Sequence, residues 1–105
     1  MDNFKTIYKI LKILEKSMNV EEFDNEQLSA EALNIDLPYW SRIMTLLVNE
    51  GYVTGVYSTM YMNSTYPQVK LIRPEITIKG LEYLNENSLM KKAADAAKGI
   101  IDIIK

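Results

Sequence analysis

The chain has 105 residues, 48% of them hydrophobic and 25% charged, with a formal net charge of −2. That size and balance suit one soluble domain burying roughly 65% of its unfolded surface. It has no cysteine, no histidine and only four glycines, which excludes disulfides, thiolate chemistry, imidazole catalysis and the glycine-rich phosphate loops.

The N-terminal segment carries a charge every few residues, unlike the apolar core of a signal peptide, and no window reaches the ~20 apolar residues of a membrane span. A cytoplasmic, non-membrane protein is the expectation. Phe4, Ile7, Tyr8, Leu11, Leu14 and Met18 recur at three- and four-residue spacing and predict the buried stripe of a first helix. Lys5, Lys9, Lys12 and Lys16 form a second, solvated stripe. Residues 20–27 are acidic and irregular. Leu28 and Ser29 predict a short extended approach and an N-cap, since a serine oxygen accepts from the free amides of a first turn.

A short second helix follows at 30–34, then a turn. A third helix is predicted at 38–50, with Pro38 in its first turn, where a missing N–H costs nothing. Trp40, Ile43, Met44 and Leu47 share its inner face. Tyr39, Ser41, Arg42, Thr45 and Asn49 are expected to point outward, with Leu46 and Val48 apolar near that side. Gly51 supplies the helix stop. Residues 52–62 favour a strand, with Gly55 marking a bulge or close backbone approach. A turn cluster at 63–67 leads to a second strand at 69–72, closed by Pro74. Thr77 is expected to cap a fourth helix at 78–85. Asn87 and Ser88 break it, and a fifth helix runs from Ser88 to the end, with Leu89, Ala93, Ala96, Ile100 and Ile103 in four-three spacing and Ile104 widening the stripe.

Helix, turn, helix, glycine stop, two strands and a further helix is the order of a winged helix-turn-helix. The predicted fold is mostly α with a small β wing (α+β): one domain over 1–105, with the winged-helix core at 1–87 and an additional amphipathic C-terminal helix at 88–105. The wing sheet is expected to have two or three strands. Three segments in order, NFKTIYKILKILEK, LSAEALNIDLPYWSRIMTLLVNEGYV and PEITIKGLEYLNENSLMKKA, resemble the YjcQ family of small bacterial and phage-borne proteins. The resemblance implies a winged-helix fold and a phage or prophage setting. It brings no established activity, so no site residue is taken from it.

Two functions fit these residues. In the first, a DNA-binding or regulatory protein, the third helix enters the major groove. Arg42 pairs with guanine, Asn49 with adenine, Thr45 touches a thymine methyl, Tyr39 and Ser41 hold phosphates, and Lys70 and Arg73 add basic surface. The same residue types are common on solvated surfaces. Charge weakens this reading: residues 19–36 hold six acids and no base, the third helix has one base, and 58–68 have none. In the second, a protein-interaction module, Tyr57, Met60, Tyr61, Met62 and Tyr66 on the wing and the acidic face make the contact, since tyrosine and methionine favour interfaces. Alternation along a strand also allows some of them to pack inward. The C-terminal helix either packs on its own domain or pairs with a second copy through Leu89, Ala93, Ile100 and Ile104; its balanced charges disfavour a membrane surface. No catalytic role, cofactor or metal is expected, and the acids lack EF-hand spacing.

Overall fold

The computed structural model describes residues 2–87. Helix α1 (Asn3–Ser17) precedes a 3-10 turn (Asn25–Leu28), helix α2 (Ala30–Leu33), helix α3 (Leu37–Asn49) and the strands β1 (Val53–Thr59) and β2 (Gln68–Ile76). Residues 78–87 form helix α4. The C-terminal contact residues Leu89, Ala93, Ile100 and Ile104 lie outside the described residues.

Local chemistry sets the helix ends. Asp2 accepts from the Phe4 and Lys5 amides, and Ser29 from the Ala32 amide at 3.0 Å. Asn34 closes α2 in the left-handed region at φ 57°. At the end of α3 the Gly51 amide bonds the Val48 carbonyl and the Tyr52 amide bonds the Leu47 carbonyl. That paired closure needs a positive φ, and Gly51 has φ 81°.

The core joins Ile10, Leu11 and Leu14 of α1 with Trp40, Ile43, Met44 and Leu47 of α3 and Val53 and Val56 of β1. Full burial contributes about 1.5–3 kcal/mol for each large aliphatic side chain. The α1 stripe differs from expectation at both ends. Phe4 and Met18 are exposed and Ile10 is fully buried, because the terminal turns of α1 overhang the body that its centre packs on.

The described sheet has two antiparallel strands. β2 does not close at Pro74 but runs on to Ile76. The register steps from Val56↔Leu71 to Thr54↔Glu75, so Gly55 alone faces residues 72–74. Pro74 lies in this bulge, where no ladder N–H is required. A Cβ on Gly55 would fall 1.8 Å from the Arg73 carbonyl oxygen, which is the close approach its glycine foretold.

The ITIKG segment is a latch on the α3–β1 junction. The Thr77 hydroxyl donates to the Gly51 carbonyl at 2.6 Å and accepts from the Gly80 amide at 3.1 Å, so it caps α4 and ties it down. Lys79 Nζ donates to the Glu50 carbonyl at 2.8 Å and lies 5.2 Å from the Tyr52 ring centroid. A Cβ on Gly80 would meet the Tyr52 carbonyl at 2.6 Å. Thr77→Val keeps the shape but loses both bonds, and thermal or urea unfolding should show a loss of about 1–2 kcal/mol.

Tyr83 of α4 packs on Tyr52, ring centroids 5.5 Å apart. Burial pushes the Tyr83 phenol above its ordinary 10.0, with smaller contributions from Tyr52 and Asp2. A raised folded pKa means that stability is full below the unfolded value and falls as pH rises through the folded one. Unfolding followed above pH ~10 should show this alkaline loss, and Tyr83→Phe should reduce it.

Candidate interaction surface

Helix α3 has two buried stripes rather than one. Trp40, Ile43, Met44 and Leu47 face the helical core, whereas Ser41, Thr45 and Val48, at i, i+4 and i+7, form a second stripe on which Thr45 meets Ser58 of β1. Three residues expected to point outward are corrected, Ser41 and Thr45 by this second stripe and Tyr39 by α1. Ser41 is 2% exposed. Thr45 is half-buried; its hydroxyl donates to the Ser41 carbonyl at 2.7 Å and, having given its proton, accepts from Ser58 Oγ at 2.6 Å. Tyr39 is half-buried against the core, and its hydroxyl donates to Asn3 Oδ1 at 2.7 Å. A helix read alone shows one inner face; the sheet claims the second. Replacing Ser41 with lysine should therefore destabilise by more than about 2 kcal/mol in urea unfolding, because the ammonium loses its water.

The exposed stripe of α3 is Arg42, Leu46 and Asn49. Arg42 is engaged: its Nη2 donates to the Thr65 carbonyl at 2.9 Å, tying the wing loop to the helix. At the centre of the stripe Leu46 is 55% exposed. An apolar side chain there contributes no hydrogen bond to a base edge or phosphate.

Lys70 is separated from that stripe. Ser58 faces α3, so its neighbour Tyr57 points to the opposite side of the sheet, and Lys70 pairs with Tyr57 there. Arg73 is exposed in the β2 bulge. The basic residues expected to support one nucleic-acid surface are thus distributed over two sides of the wing.

The wing itself is apolar outward. Tyr57, Met60, Tyr61 and Met62 are each more than half exposed, and Tyr66 is half-buried. Between Ser58 and Val69 the chain has no charged residue. Ile72 was missed in the sequence because the second strand was expected to stop there. It is exposed and borders a separate groove. Extending the alternation of Val69 and Leu71 through Pro74 is the signal that would have placed it outward. Among the described residues no carboxylate cluster is arranged to hold a metal ion, and no helix is long and apolar enough to cross a membrane.

Two helices joined by a tight turn, followed by a two-stranded wing and a latching helix, define a winged-helix-like α+β protein. The chain belongs to the YjcQ family, described as "YjcQ protein", which matches residues 8–103. It is similar to "Uncharacterized protein YjcQ" of Bacillus subtilis (strain 168), 32% identical over 106 residues and covering the whole of both chains. No solved structure matches it at a significant level.

Proposed function

We propose that this protein is a non-catalytic protein-interaction module, and that the wing makes the contact through Met60, Tyr61 and Met62 at its tip, with Tyr57 beside them on the strand. The observation that carries this reading is the exposed tyrosine–methionine surface of the wing tip, where residues 58–69 carry no charge. Large apolar side chains gathered on a surface mark interaction sites, and methionine adapts to irregular partners. Arg42 serves the surface by holding the wing loop against α3 through Thr65.

A photoreactive residue at position 62 tests this in cells. It should capture a defined partner protein, whereas the same residue at Lys9, on the far lysine stripe, should not. Combining the probe with Tyr61→Ser should abolish capture without changing Tm. Equal capture from both positions would remove the support for the wing.

The competing reading is a DNA-binding regulator. It draws on Arg42 and Asn49, which stay on the exposed stripe of α3, seven residues apart. Against it stand the Arg42–Thr65 bond, the central Leu46 and the placement of Lys70. Phosphate contacts by clustered Lys and Arg supply most nonspecific DNA affinity, and this face carries one such residue.

A further inference from the structure

A groove of about 630 Å³ lies between the end of α1, the acidic connection after it and the bulged half of β2. Its existence follows from the fold. No third strand lies along this edge of β2 among the described residues; the Asn25 side-chain amide bonds the Leu71 carbonyl there at 3.1 Å. Beyond that contact the bulge turns Ile72 outward. Met18 and Val20 overhang from the end of α1, so three large apolar side chains, each more than half exposed, line one groove. Grooves of roughly 300–1,000 Å³ are large enough to bury a ligand of several groups.

The rim carries the complementary information. Glu21, Glu22 and Glu75 line the groove against one guanidinium, that of Arg73. Among the described residues the ion pair is Lys12–Glu15, on another face of α1, so these carboxylates have no cationic partner in that part of the chain. Asp24 and Glu26 follow on the same connection, and residues 19–36 contain no base. Exposed apolar side chains set among unneutralised carboxylates select a ligand that is apolar on one side and cationic at its margins. The same field repels nucleic acid and anionic lipid.

We propose that this groove docks a short cationic amphipathic segment of a partner protein. Its apolar side chains lie on Met18, Val20 and Ile72, and its Lys or Arg side chains meet Glu21, Glu22 and Glu75. This surface is distinct from the wing tip, and it stands or falls independently of the tyrosine–methionine contact.

The test titrates the 15N-labelled 105-residue chain with three short synthetic peptides: an amphipathic leucine–lysine helix former, its leucine–glutamate counterpart and its serine–lysine counterpart. The leucine–lysine peptide should shift the amide signals of residues 18–25 and of Ile72, Arg73, Glu75 and Ile76. The other two should leave them in place. Reversing the rim with Glu21→Lys and Glu22→Lys, both exposed and free of structural bonds in the described part, should weaken the leucine–lysine peptide at least roughly tenfold, or about 1.4 kcal/mol. The reversed protein should gain affinity for the leucine–glutamate peptide. Met62→Ser should leave all of this unchanged, which separates the groove from the wing. Absent binding, shifts confined to the wing or α3, equal binding of the acidic peptide, or indifference to charge reversal would each overturn the proposal.

Discussion

Gly55→Ala should destabilise the domain by more than about 3 kcal/mol, a large fraction of the ~5–15 kcal/mol that holds a native domain together. Two effects combine at this position. The residue has φ 75°, and alanine in the left-handed region costs roughly 1–2 kcal/mol. The added Cβ would also stand 1.8 Å from the Arg73 oxygen and 2.4 Å from its carbonyl carbon. These are backbone atoms, so relief requires moving β2 itself. Gly51→Ala is the control. It has a similar φ of 81°, but its Cβ would meet only the Lys79 side chain at 4.0 Å, and its loss should stay near the roughly 1–2 kcal/mol of backbone strain alone. Urea unfolding of the two variants measures the difference directly. Equal losses would show that the bulge is not tightly packed.

Trp40→Ala is the second large effect, at about 3–5 kcal/mol. Trp40 is buried, and its indole N–H donates to the Leu28 carbonyl at 2.7 Å. That bond joins α3 to the end of the 3-10 turn, so the variant removes both core volume and the tie that holds the acidic connection. Trp40→Phe separates the two contributions. It keeps most of the volume but leaves the Leu28 carbonyl unpaired, which costs about 1–3 kcal/mol. Tm should fall in the same order, with alanine lowest.

The parts of the fold that were legible in the sequence are those fixed by local chemistry. Ser29, Gly51, Gly55 and Thr77 announce themselves because a cap, a helix stop, a bulge and a second cap each demand a particular residue within a few positions. The inner face of α3 was legible for the same reason: Trp40, Ile43, Met44 and Leu47 have helical period. What could not be read depends on neighbours distant in sequence. Ser41 and Thr45 are polar and look solvated until the sheet is placed over them. Lys70 joins or leaves the α3 surface according to which side of β2 it takes. Arg42 looks free until the wing loop folds back to Thr65. The groove beside β2 was invisible because it is made by elements about fifty residues apart, and because Pro74 suggested a strand end rather than a bulge. The acidic run was visible, but the placement of Met18, Val20 and Ile72 beside it was not.

The most direct test of the central claim, that the wing rather than the outer face of α3 is the working surface, is a salt titration with mixed-sequence duplex DNA at low ionic strength. A groove-reading protein binds such DNA and weakens steeply as salt rises, with a log–log slope near −0.9 for each phosphate neutralised. With Arg42 bound to Thr65 and Leu46 at the centre of α3, the expected result is no measurable association and no salt slope. Steep, salt-sensitive binding that Arg42→Ala abolishes would contradict it.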